Sequence, residues 1–411
     1  MSEPDTKAHE WRGGWPVVLG SAAMAGVGAG LYQNLSSLFM PGIQQVTGAS
    51  RSEIGGSAAL GLLGALAAPF IGRLTDRIGV IPVIVVSALG VAASYIWLSL
   101  MSGGLWQFQL GVALLALSAP GMSAMIYGRL VAKRFDRHRG LALAFATSGI
   151  SLTTVLLPAA VGWIIETGGF RGAYYLLAAL AVGIGIPAGL YATRSAGALE
   201  PPAPRERSSK PPSWKNLLFW RIAGATMLIN IGTVGMVTSL ALIGGERGLG
   251  LAAAGLLLSS YGASQIVGRM VMGALIDRYP VNRIAAAFGL ISTAGFIGLL
   301  WGIDGLPFML AAVFVAGLLN GAEYDLMPFL VSRLFPLEIF SELFGRLYLF
   351  SLLSGGIGLA GFNLLRDWTG SYTAPLGIAA ICMLLAATLL YTLPPTRPEA
   401  TEPPLNPSAS S

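Results

Sequence analysis

Residues 194–216 read RSAGALEPPAPRERSSKPPSWKN. Proline, serine and charge at that density are linker composition. What lies on either side gives the stretch its meaning. Six long apolar segments precede it, at about 15–40, 53–72, 80–101, 105–130, 140–165 and 172–193. Six follow, at about 217–243, 251–273, 281–301, 306–332, 343–365 and 372–393. Each is near the roughly 20 residues that a helix needs to cross about 30 Å of hydrocarbon. The apolar runs are continuous rather than alternating, which selects helices over barrel strands. The expected fold is an all-α membrane protein of twelve transmembrane helices in two six-helix halves. Its parts are an N-terminal tail (1–14), a first half (15–193), the linker (194–216), a second half (217–393) and a C-terminal tail (394–411).

Composition points the same way. The chain of 411 residues is 54% hydrophobic and only 11% charged. A soluble domain carries about 25% charged residues, so there is too little charge here to cover a soluble surface. The 55 glycines suit close helix packing in a bilayer. The single cysteine, Cys382, excludes an internal disulfide, and both histidines, His9 and His138, fall outside the expected spans. A His/Cys metal site is therefore not expected, nor is any cofactor. No phosphate-binding loop or nucleophile elbow stands in a suitable setting, which argues against an ATP-driven pump and against an enzyme. The first fourteen residues are polar and show no cleavable leader pattern.

The net charge of +6 is a topology signal rather than a sign of nucleic-acid binding. With the N-terminus placed in the cytoplasm, 20 of the 25 Lys and Arg residues fall in cytoplasmic tails and loops. The outer loops hold Arg51, Arg171, Arg247 and Arg366. Both termini are thus expected in the cytoplasm of a cell membrane, a bacterial inner membrane. The halves also echo each other. Gly72…Asp76-Arg77 recurs as Gly273…Asp277-Arg278, and Gly169…Ala173 recurs as Gly370…Ala374, both at the same offset. Shared offsets across different helices support a duplicated six-helix unit, a known transporter plan.

The loop Gly72-Arg73-Leu74-Thr75-Asp76-Arg77-Ile78-Gly79, the twelve spans and the central linker together resemble the major facilitator superfamily over nearly the whole chain. The basic residue that usually follows this loop is replaced by Val80, Ile81 and Pro82. The resemblance implies a secondary transporter in which Asp76 and Arg77, with Arg129 or Arg134 as partners, close the inner gate. Asp277 and Arg278 would repeat that role in the second half. A loop carboxylate with purely local partners is the alternative.

Two further strings resemble the monocarboxylate transporter and oxalate–formate exchanger branch. They are Gly13-Gly14-Trp15-Pro16-Val17-Val18 and the run from Arg134-Phe135 through Arg139-Gly140-Leu141-Ala142 to Gly149. By that resemblance Arg269, in Gly268-Arg269-Met270, is the eighth-helix arginine that holds a substrate carboxylate. The chain departs from the branch at three places. Gln265 stands where an aspartate is usual, Gln33 beside Asn34 where a first-helix lysine is usual, and the core of the eleventh helix, Leu347 to Leu365, carries no lysine.

Three charges lie inside the spans, where each costs several kcal/mol on insertion scales: Arg269, Glu323 and Asp325. At 1.5 Å rise per residue Arg269 sits about 12 Å before Asp277, and Glu323 and Asp325 about 15 and 12 Å before Arg333. All three are near the midplane, so a carboxylate–arginine interaction is geometrically open. The two acids are about 200° apart around the helix. Asn320, Glu323 and Met327 share one face, and Glu323 is the acid expected to face the cavity. Glu323 or Asp325 would then couple protons. The structural alternative is that one acid neutralises Arg269 or that both satisfy helix-end partners. Gln33, Asn34, Tyr127, Asn230, Tyr261, Gln265, Asn320 and Tyr324 are candidate hydrogen-bonding residues of the cavity, with helix-to-helix bonding as the alternative.

The expected function is alternating-access transport of a small organic anion, a monocarboxylate, coupled to protons, with the lipid bilayer as the other partner and a monomer sufficient. The rival of the same fold is a proton-coupled efflux carrier of a cationic or drug-like compound that uses Glu323 as the cation partner. A transporter-fold membrane sensor is the rival of another class, and the tails of about 14 and 18 residues are too short for an appended soluble domain.

Overall fold

A computed structural model of the chain describes residues 6–135, 138–197, 216–276, 278–302, 305–335 and 340–395. Most of the linker, Asp277, and the side chains of Tyr324 and Asp325 lie outside the described residues. Among the described residues the regular structure is helical, and twelve stretches are long and apolar enough to cross a membrane.

In the first half, the first span is α1 (Thr6–Gly26) and α2 (Ala29–Thr47), and the second is a short α3 (Arg51–Gly56), a 3₁₀ stretch and α4 (Leu62–Ile78). The third is α5 (Val80–Ser99), and the fourth is α6 (Leu105–Ser118) followed by a 3₁₀ turn and α7 (Ala124–Arg134). The fifth is α8 (Arg139–Gly168), and the sixth joins α9 (Phe170–Leu180) to α10 (Ile186–Ala196) through a π-helical turn. The second half is more continuous. It consists of α11 (Leu217–Glu246), α12 (Leu251–Ile276), α13 (Val281–Leu300), α14 (Leu306–Leu334), α15 (Phe340–Thr369) and α16 (Thr373–Tyr391).

The breaks in the first half have local causes. At Gly28 the backbone is extended (φ −73°, ψ 179°) between two glycine-flanked half-helices. In the fourth span Pro120 opens a 3₁₀ turn, and Ser123, also extended, caps α7 by accepting from the Met125 amide. The two breaks meet, since a Cβ on Gly28 would lie 3.4 Å from the Met122 carbonyl oxygen. Half-helices of this kind are tolerated in a membrane only where protein or a cavity covers the freed backbone groups.

Two ends of the molecule need separate names. The linker side is where α4 and α7 end; the far side is where α3 begins and α11 ends. The halves touch mainly through α8 against α12, α2 against α11, and α3 against α15. At the first seam a Cβ on Gly262 would come within 2.8 Å of the Thr154 backbone, so only glycine permits that approach. Between the halves lies a cavity of ≈ 2340 Å³. It reaches the linker side at Asp76, Arg129 and Lys133.

Candidate functional site

Arg269 lies in the last two turns of α12 and its half-buried side chain lines the cavity. Its Nη1 donates across the seam to α8, to Thr147 Oγ1 at 2.9 Å, Ser148 Oγ at 3.2 Å and the Ala144 carbonyl at 3.2 Å. One turn earlier on α12, Gln265 Oε1 accepts from Ser151 Oγ at 3.3 Å. One turn further along α8, Thr154 Oγ1 accepts from Asn34 Nδ2 at 2.8 Å. Residues 147, 148, 151 and 154 thus form one hydroxyl stripe at helical spacing. It serves as the first half's polar wall.

Glu323 also lines the cavity, as its helical position predicted, but it is not paired with Arg269. Among the described residues no ion pair joins Glu323 to Arg269, and amides meet Glu323 instead; the same expectation for Asp325 falls on a side chain outside the described residues. Oε1 accepts from Asn230 Nδ2 at 2.8 Å and Oε2 from Asn320 Nδ2 at 3.4 Å. The physical reason lies in which helices supply the donors. Glu323 is served by α11, through Asn230, and by Asn320 one turn back on its own helix, whereas Arg269 is drawn to α8. Asn320 is the hub of this network. Its Oδ1 accepts from Tyr261 OH at 2.7 Å and Gln265 Nε2 at 3.0 Å, and its Nδ2 also donates to Thr233 Oγ1 at 3.2 Å. Asn230, Tyr261, Gln265, Asn320 and Glu323 are all less than one-tenth exposed, so these bonds are obligatory rather than incidental.

The remaining candidates divide. Gln33, Asn34 and Tyr127 line the cavity on the first half's side. Asp76, in the last turn of α4, accepts from Arg129 Nη1 at 2.6 Å. Arg134 is placed elsewhere. Its guanidinium packs over Gly13, where a Cβ would be 1.8 Å from Nη2, and Phe135 packs over Gly14 in the same way. The two strings that carried the resemblance to the monocarboxylate branch are therefore one contact: the glycine pair of α1 receives the end of α7. Arg77 and Arg278 are exposed at the linker side, apart from that pair. Asp277, and the Tyr324 and Asp325 side chains, fall outside the described residues.

Sequence reasoning missed three groups. The hydroxyl stripe of α8 was visible as spacing, but serines and threonines in membrane helices commonly bond their own backbone, and Thr154 does so as well, donating to Ile150 O. The second is the far rim. Glu246 at the end of α11 takes Arg51 Nη1 at 3.1 Å from the first half, and Arg366 Nε from its own half. Asp367 Oδ2 accepts the Ser52 amide at 3.0 Å, again across the halves, and Tyr372 lies under both guanidinium groups. The third is a buried set of tyrosines, in which Tyr32 OH and Tyr174 OH are 2.9 Å apart beside Tyr95.

Comparison with known proteins bears on what such a cavity does. The sequence profile of the Major Facilitator Superfamily matches residues 22–242 and 222–409. Human monocarboxylate transporter 11 is 28% identical over 94% of this chain and 84% of its own length. An MFS-type transporter of Gibberella moniliformis is 27% identical over 92% of this chain and 89% of its own. Among solved structures, a bacterial homolog of the human lysosomal transporter Spinster superposes with a TM-score of 0.65 at 13% identity, covering 94% of this chain and 97% of that one. The structural likeness concerns the fold.

Proposed function

The chain belongs to the Major Facilitator Superfamily, a transporter rather than an enzyme, and from that premise we propose that it carries a small organic monocarboxylate by alternating access coupled to protons. The observation that carries this reading is Arg269, a permanently charged fork in the wall of an intramembrane cavity. A guanidinium binds a carboxylate through two parallel hydrogen bonds and does not lose its charge. The name of the human relative, monocarboxylate transporter 11, supports the same substrate class. Gln265, Tyr261 and Asn320 on one wall, and Gln33, Asn34 and Tyr127 on the other, would hold the rest of the substrate.

Glu323 is the coupling acid. Asn230 and Asn320 satisfy its carboxylate when it is charged, and turning the Asn230 amide would offer Oδ1 to the acid when it carries a proton. Asp76 with Arg129 would brace the inner gate. With the linker and both termini taken as cytoplasmic, the tied far rim and the linker-side mouth support a cytoplasm-facing state of a cell-membrane carrier.

Uptake of labelled monocarboxylates into proteoliposomes under an imposed pH gradient tests the reading. Accumulation that follows the proton gradient is expected. Stabilisation by organic cations instead of anions, lost in Glu323→Gln, would replace it with a cation carrier of the same fold.

A further inference from the structure

We infer that Asn320 and Gln265 carry the protonation state of Glu323 to the substrate wall, so that a proton on the acid turns Gln265 from an acceptor into a donor towards the substrate. This rests on the reading of Glu323 as the coupling acid of a carboxylate carrier. A continuous line of hydrogen bonds joins the two places. Ser151 Oγ of the first half donates to Gln265 Oε1 at 3.3 Å, Gln265 Nε2 donates to Asn320 Oδ1 at 3.0 Å, and Asn320 Nδ2 donates to Glu323 Oε2 at 3.4 Å. All four side chains are buried, so a bond lost from the line is costly. Ser151 and Gln265 also line the cavity, one turn from Arg269.

The carboxylate sets the direction of the line. A charged Glu323 only accepts, so Asn320 turns Nδ2 towards it. Asn320 Oδ1 then faces Gln265, which answers with Nε2 and is left with Oε1 at the cavity and Ser151. An oxygen there opposes a substrate carboxylate.

A proton reverses each step. The acid now donates, and an amide must offer it oxygen. On Oε1 a turned Asn230 would give up its bond to the Thr226 carbonyl, now 3.0 Å long. On Oε2 a turned Asn320 keeps its partners, because the Tyr261 and Thr233 hydroxyls and the Gln265 amide can each exchange donor and acceptor roles. Gln265 then turns as well. Its Oε1 accepts from Asn320, its Nε2 faces the cavity, and the Ser151 proton is released from Gln265. The substrate wall thereby gains donors and loses an acceptor when Glu323 is neutral. By linkage, a carboxylate bound to that wall raises the proton affinity of Glu323 by the same factor. Asn320 acts as a positioning residue, and Gln265 reads the proton for the substrate.

The helices packed against α14 bring three ionisable side chains to this cavity: Tyr261 and Arg269 from α12, and Tyr348 from α15. Arg221 and Glu246 of α11 and Arg283 of α13 lie towards helix ends. The Tyr324 and Asp325 side chains on α14 itself are outside the described residues.

The test is benzoate binding to the purified full-length protein by calorimetry, from acid to alkaline pH over a range in which benzoate stays ionised. In the unmodified protein affinity should fall about tenfold towards alkaline pH. Glu323→Gln, whose NH2 donates as the protonated acid would, should bind at the acid-pH level with no pH dependence. Gln265→Met keeps Glu323 and its charge but ends the line, and its affinity should vary by no more than about twofold with pH. Undiminished pH dependence in Gln265→Met, with none in Glu323→Gln, overturns the relay and leaves the coupling acid intact, since the proton then acts on the substrate through charge alone. Full pH dependence in Glu323→Gln overturns both, as does an unmodified protein that binds no benzoate or binds it equally at every pH. Should Gln265→Met fail to fold, Gln265→Leu is read by the same criteria.

Discussion

The far rim and the middle of the seam join the same two halves by opposite chemistry. At the rim, Glu246 gathers Arg51 and Arg366, with side-chain exposures of 22–27%. In the wall of the cavity, Arg269 meets neutral hydroxyls and a carbonyl, while Glu323 meets amides. Rim charges are wet, so they are cheap to form and cheap to break. The printed contacts of Arg269 and Glu323 are with neutral dipoles, which can solvate a buried charge. The difference fits the proposed carrier, in which the interior charges would meet substrate and proton and the rim would open and close.

Breaking the interior should cost most. Arg269→Gln is expected to lower carboxylate uptake by at least about a hundredfold, because a buried charge-assisted pair is worth several kcal/mol; initial rates in proteoliposomes measure it. Glu323→Gln replaces one accepting oxygen with an NH2 donor, which a turned Asn230 amide can meet through Oδ1 as it would the protonated acid, and removes the titratable group. It should abolish accumulation driven by a pH gradient yet permit downhill exchange, two modes that a counterflow assay separates. A structural Glu323 would leave both modes alike.

The seam itself is next. Gly262→Ala places a methyl against the Thr154 backbone, where nothing flexible can give way. A loss of about 1–3 kcal/mol is expected for such overpacking, read as a lowered Tm in detergent.

The smallest effect belongs to the rim. Glu246→Gln leaves Arg51 and Arg366 without their shared carboxylate, yet exposed pairs are worth about 0–1 kcal/mol each. The variant should shift the balance towards far-side opening by no more than a few-fold, as spin-label distances across the rim would report. In the unmodified protein, salt raised towards 1 M, where the screening length falls to about 3 Å, should mimic that shift at the rim and leave substrate affinity nearly unchanged.

Much of this architecture is legible in the sequence because a bilayer imposes coarse rules. Twenty apolar residues, a polar linker and the placement of Lys and Arg are enough for twelve helices in two halves. The burial cost of Arg269 and Glu323 marks both as residues to watch, and a 100° step per residue puts Glu323 on the cavity face. What the sequence hides is pairwise. Depth along a helix matched Arg269 with Glu323, but partners depend on how helices are rotated and which neighbours present donors, and there α8 and α11 intervene. The breaks at Gly28 and Ser123 were equally hidden, since glycines in a membrane helix more often mark close packing than an interruption. The rim ion pairs sit at helix ends whose charges read only as orientation signals.

The role of Arg269 as ligand of a substrate carboxylate is tested most directly by thermal stabilisation with small carboxylates, because a ligand of the folded state raises Tm by mass action. A panel of benzoate, lactate and acetate is expected to raise the Tm of the unmodified protein in a concentration-dependent way, with no shift in Arg269→Gln. Equal stabilisation of both proteins, or stabilisation of neither, would contradict it.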